Sequence, residues 1–199
     1  QATTYHTVRI SGAPSLYVSW TLMDERNTIA EMLDRSPLIG FSVYTQFQFR
    51  TLSAVGREIL DLLDSSMAEG SADAQALNRA YGMFWLWLLS AYEITRTMCQ
   101  AKPCFTAELS TKLIAFKKRL SALRMPFAKQ EYEGGKTRIP IRTEASICSV
   151  DTMGKDFKFE INGTVVSVRD LISAFESVFG NIKREDVLSD HRDSYRGAS

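Results

Sequence analysis

Residues 81–92 read Tyr-Gly-Met-Phe-Trp-Leu-Trp-Leu-Leu-Ser-Ala-Tyr. Wound into a helix, this run is apolar on every side. Such a helix is normally central in a core or shared with a partner subunit. Arg79 and Glu93 bracket it well inside the ~20 apolar residues that a bilayer span needs. The expected burial is therefore in protein, with no membrane involved. A polar linker, Glu69-Gly70-Ser71-Ala72-Asp73, precedes the helix and Lys102-Pro103 ends it, so the spacing predicts a helix from about Asp73 to Gln100.

The neighbouring segments must cover that helix. Downstream, Leu113, Phe116, Leu120, Leu123 and Phe127 recur at three- and four-residue steps, predicting a helix over 106–130 with one apolar stripe. Pro126 is expected to kink or strain its last turn. Upstream, Ser36-Pro37 is a helix start signal. Two periods compete after it. Phe41, Val43, Phe47 and Phe49 alternate like a strand, whereas Leu52, Val55, Ile59, Leu62 and Leu63 have helical spacing. No turn residue separates them, and one long helix over 37–67 is the favoured reading. A short helix over 24–35 precedes it.

Both ends carry β signals. Residues 5–11 and 16–23 flank the turn Ser11-Gly12-Ala13-Pro14-Ser15, and Leu16, Val18, Trp20 and Leu22 alternate with polar or aromatic residues. Residues 138–150 and 156–161 read as strands. Asn162-Gly163 is a hairpin turn leading into a return strand over 164–168. Ser167 and Asp170 then form a capping box for a helix over 168–179, which stops at Gly180. From Lys183 the chain is polar, with Val187 and Leu188 as its anchors, and a mobile tail over 183–199 is expected.

These readings add up to one α+β domain over 1–182. It holds a bundle of three long helices and a shorter C-terminal helix. The β-hairpins near both termini are expected to form a small antiparallel sheet. The apolar stripes at 37–67, 106–130 and 168–179 can cover the aromatic helix without a second subunit.

Composition excludes little. The chain has 199 residues, 45% hydrophobic and 24% charged, with a net charge of +1. That length buries a core without staples, and the near-neutral charge gives no global pull toward nucleic acid or an anionic membrane. The three cysteines, Cys99, Cys104 and Cys148, are odd in number and irregular in spacing. They read as structural thiols of a reducing compartment, which places the protein in the cytoplasm. No Cys/His set has zinc-ligand spacing, so neither metal nor cofactor is expected. The N-terminus, Gln-Ala-Thr-Thr-Tyr-His, has neither the basic head nor the apolar stretch of a signal peptide.

No motif is specific enough to name a reaction, and whether the chain is an enzyme stays open. Three sets of residues are candidates. Glu93 and Arg96 stand three residues apart at the polar end of the aromatic helix, beside Tyr92. A carboxylate there could be desolvated and serve as acid, base or ligand anchor, or form a buried ion pair. Lys112, Lys117, Lys118, Arg119, Arg124 and Lys129 form a basic run on the helix over 106–130. Such a face either contacts phosphates or is simply solvated.

The third set is Arg184 and His191, with six residues between them. This spacing resembles the Arg-x4–6-His motif of the HEPN family, helical-bundle proteins that include many RNA-cleaving toxins. The resemblance covers this motif and a generic helical bundle. It implies that Arg184 and His191 would meet across a dimer and act on an RNA backbone. Glu185 stands where a polar Asn is more usual in that family. His6, the other histidine, has no partner at recognisable spacing.

Two functions follow as expectations. One is a non-enzymatic protein-interaction or regulatory module that self-associates or binds another chain. The alternative is a nucleic-acid-binding protein or HEPN-like ribonuclease using the basic helix and the Arg184/His191 pair. A small-molecule pocket at Glu93, Arg96 and Tyr92 is a further option.

Overall fold

The computed structural model describes residues 25–68, 71–129, 148–161 and 163–192. The expected N-terminal hairpin lies outside these residues. Helix α1 spans Glu25–Arg35. Pro37–Gly40 follows as a 3-10 turn. Helix α2 spans Val43–Ser66. Met67–Ala68 (β1) and Ser71–Ala72 (β2) pair as a minimal antiparallel ladder, which leads into α3, Ala74–Gln100. A second 3-10 turn, Lys102–Cys104, joins α3 to α4, Ala107–Lys129. Then come β3 (Cys148–Asp151), β4 (Asp156–Ile161), β5 (Thr164–Ser167) and α5 (Val168–Phe179).

The α+β architecture with three long helices is therefore present, and residues 43–50 are helical. One boundary differs from expectation. Ser36-Pro37 starts the 3-10 turn, not the long helix. The long helix begins at its own cap, where the Ser42 hydroxyl accepts a hydrogen bond from the Thr45 amide. At α3 the Asp73 carboxylate accepts from the Gln75 and Ala76 amides.

Helices α2 and α3 are antiparallel neighbours. The register is fixed by two contacts: Trp87 Nε1 donates to the Leu52 carbonyl at 3.0 Å, and Arg79 pairs with Glu58. Gly56 permits the close approach. A Cβ there would lie 3.1 Å from Ile172 Cγ2 on α5 and 3.4 Å from the Trp87 indole nitrogen. Helix α4 packs on the other side of α3 through buried Leu113, Phe116, Leu120 and Leu123, the expected stripe. Pro126 sits buried inside α4, which runs on to Lys129.

The described three-stranded sheet has the order β3-β4-β5 and is antiparallel throughout, with Val150 opposite Phe157 and Phe159 opposite Val166. Phe157, Phe159 and Ile161 share one face by the two-residue period and are buried. They meet the bundle through Tyr81, Phe84 and Phe127. Gly163 takes φ +75°, as the β4–β5 turn requires. Ser167 caps α5 and also donates to the buried Asp156 carboxylate. Arg169 ties the hairpin back to α2, bonding the Lys155 carbonyl and pairing with Asp64.

Helix α5 completes the core. Phe175 meets Trp87 of α3, Phe49 of α2 and Phe116 of α4. Residues 183–192, read from sequence as the start of a tail, run back across the bundle. Thr106 donates its amide to the Asp186 carbonyl, Leu188 to Cys104, and His191 to Phe41, at 3.0, 2.8 and 3.0 Å. Val187 bridges to Phe105.

Candidate functional site

The polar end of α3 is built from residues one helical turn apart. Arg96 Nε donates to Glu93 Oε2 at 2.7 Å, and Arg96 Nη1 donates to Gln100 Oε1 at 3.1 Å. The antiparallel run of α4 brings Arg124 to the same place. Its guanidinium stacks 4.6 Å from the Tyr92 ring centre and lies 3.8 Å from Glu93 Oε1. One member of the basic run thus joins the Tyr92–Glu93–Arg96 set. The arrangement corrects the expectation of a desolvated carboxylate. The Glu93 and Arg96 side chains are both nearly half-exposed, because α3 turns this edge toward solvent between α2 and α4. Ion pairs of this kind contribute about 0–1 kcal/mol.

The rest of the basic run separates. Lys112 pairs with Glu108 at 2.6 Å, one turn away on α4. Lys118 and Arg119 are exposed and Lys117 is half-buried. None of these three forms an ion pair among the described residues. Lys129 closes α4, and its side chain lies outside the described residues.

Arg184 and His191 sit on no common helix. Arg184 opens a 3-10 turn and lies 3.8 Å from Asp34 of α1. His191 lies in a turn with its ring edge-on to Phe41, the ring centres 4.9 Å apart. Both residues therefore lie on the segment after Lys183, outside the long bundle helices.

A feature that the sequence reading missed lies beside Glu93. A groove of about 470 Å³ runs between α2 and α3. Tyr44, Phe47, Gln48 and Thr51 line it from α2, and Leu89, Ser90 and Glu93 from α3. Tyr44 is 82% exposed and Phe47 62%. Val43 extends the apolar surface along α2, and Leu86, one turn before Leu89 and Ser90, extends it along α3; they are 52% and 60% exposed. The helix expected to be covered on every side is thus open on this one. Its signal was present in the strand-like alternation of residues 41–49. In a helix, Phe49 turns inward onto Phe175 and Phe179 while Val43 and Phe47 turn outward. The extra apolar residues are more than one buried face can use.

Two further hollows are more polar. One, about 610 Å³, lies between the start of α4 and the end of α5, with Glu108, Lys112, Asn181 and Asp186 on its walls. The other, about 360 Å³, is lined by Leu33, Gly40, Arg184 and Leu188. Among the described residues, no disulfide joins Cys99, Cys104 and Cys148. Burial, and then the nearby Asp156 charge, push the Cys148 thiol up to about 11. Burial also raises Cys99, against the lowering influence of Lys117. Among the described residues, no group of three or more His, Cys, Asp or Glu side chains could hold a metal ion. No described helix is long and apolar enough to cross a membrane. Comparison with known proteins gives no family model, no curated protein and no solved structure that matches this chain.

Proposed function

We propose that the chain is a non-enzymatic protein-interaction module acting in the cytoplasm through the groove between α2 and α3. One observation carries this reading. Val43, Tyr44, Phe47 and Leu86 stand exposed along one contiguous helical face, although the opposite faces of the same two helices already supply a full core. Exposed apolar surface collected in one place marks binding sites, whereas scattered single residues need no explanation. The rim is suited to this role. Gln48, Thr51, Ser90 and Glu93 supply polar partners around the apolar floor. The groove also has the shape that helix-in-groove recognition uses. Chemical cross-linking of the native chain, compared with Phe47→Asp and Leu86→Asp, tests the reading. The variants should keep the native circular dichroism and thermal transition yet lose intermolecular cross-links. A native chain that forms no intermolecular cross-link, either purified or in an extract of the source cells, would sink it.

Nucleic-acid binding is the second reading, and it rests on Lys117, Lys118 and Arg119. Their freedom from ion pairs among the described residues favours it. With Lys112 and Arg124 engaged elsewhere, it keeps three cations on one helical turn, enough for a few phosphate contacts.

A further inference from the structure

The groove and the ridge beside it lie on the same face, and we infer that the partner seated there is a second copy of this chain, packed about a two-fold axis. The inference rests on the interaction reading above and adds the identity of the partner. A two-fold interface uses one patch on both subunits, so that patch must offer both a projection and a recess. This face does. Tyr44 and Phe47 project from α2, and the recess lies immediately beside them against α3.

The heights match as well. Trp87 bonds to Leu52, and Arg79 pairs with Glu58, so α2 and α3 run in fixed antiparallel register. That register sets Phe47 about level with residues 90–92 and Tyr44 with residues 93–95, and Ser90 and Glu93 are the groove-lining residues at those heights. A two-fold axis parallel to the helices preserves height and exchanges α2 for α3. It lays Phe47 of one copy over Ser90 of the other, and brings the Tyr44 hydroxyl to the Glu93 carboxylate as a hydrogen-bond donor. The result is a four-helix arrangement of ridges in grooves.

The area is sufficient. Taking about 150–250 Å² for a whole aromatic side chain, Tyr44 and Phe47 at 82% and 62% exposure present about 300 Å². Val43 and Leu86 raise the apolar part to about 450–500 Å². A standard interface takes about 800 Å² from each partner, a little over half of it apolar. The polar rim supplies the remainder.

Sedimentation equilibrium of the full chain up to about 100 μM tests the inference, together with p-benzoyl-phenylalanine placed at position 47 for photo-cross-linking. The expected results are a dimer, conversion to monomer in both Phe47→Asp and Leu86→Asp with unchanged circular dichroism, and a self-adduct mapping near Ser90. A strict monomer, or a dimer that survives both substitutions, would overturn it. Photo-adducts in an extract of the source cells separate the two levels of the argument. An adduct to a different polypeptide removes the second copy as occupant and leaves the interaction module standing. The absence of any intermolecular adduct removes both.

Discussion

Phe47 and Phe49 are two residues apart on one helix, about 200° apart around its axis, and truncating each to alanine should have opposite consequences. Phe49 is half-buried; its ring is tilted against Phe175 and stacked on Phe179, with ring centres 6.0 and 5.7 Å apart. A fully buried Phe→Ala change costs about 3–5 kcal/mol. For a half-buried ring that forfeits two aromatic contacts, about 2–3 kcal/mol is expected. In a chain of this size each kcal/mol moves the midpoint by about 2–4 °C, so Phe49→Ala should lower Tm by about 5–10 °C. Phe47 is 62% exposed. Phe47→Ala should therefore stay within about 0.5 kcal/mol, or under ~2 °C. The assay is thermal unfolding followed by circular dichroism. It is run dilute enough to dissociate a weak dimer, since association would add its own stabilisation. Equal losses at the two positions would refute the argument, because they would mean that both rings face the core, as in a strand.

Other outcomes follow from the same contacts. Trp87→Phe removes the bond to the Leu52 carbonyl and leaves a void beside Gly56; a loss of about 2–3 kcal/mol is expected in urea unfolding. A chain ending at Ile182 forfeits the bonds to Thr106, Cys104 and Phe41 and uncovers Phe105, and should lose about 3–5 kcal/mol, again by urea unfolding. The Cys148 thiol is raised from the usual 9.0 to about 11. Its contribution is therefore intact below pH 9 and lost as pH rises through 11. Cys148→Ala should flatten the alkaline decline in stability relative to the native chain. Lys118→Glu with Arg119→Glu should abolish any salt-dependent RNA binding seen at low salt, measured by fluorescence anisotropy, and no binding by the native chain would exclude that role.

The helices were legible because their signals are local. The polar break at Asp73 marks the start of α3, the α4 stripe has a single period, and Gly163 takes the positive φ expected of it, whereas the start of α2 was misplaced because Ser36-Pro37 outweighed the true cap, Ser42. What sequence could not supply was register between elements. Nothing near Arg124 in the chain points to Tyr92 or Glu93; only the antiparallel return of α4 on α3 joins them. The groove was half legible. Phe47 and Val43 broke the helical period of α2, but the break looked like competition from a strand until the inner ring, Phe49, was seen against α5. The polar composition after Lys183 hid its role for a related reason. That segment holds on mainly through backbone bonds, which side-chain character does not encode.

That last segment sets the order in which the molecule can be completed as it is made. Cys104 and Asp190, which meet through the Cys104 thiol, are 86 positions apart, and His191 reaches back still farther, to Phe41 at the threshold of α2. Contacts so distant in sequence form late, after the loop they close has been ordered. A ribosome releases the chain from its N-terminal end, so Phe41, Cys104 and Phe105 emerge long before residues 186–191 can cover them. Through that interval the join between α2, α3 and α4 stays open at one end. Stalled or truncated chains would therefore expose it, and that end is where a chaperone or protease would find an unfinished copy.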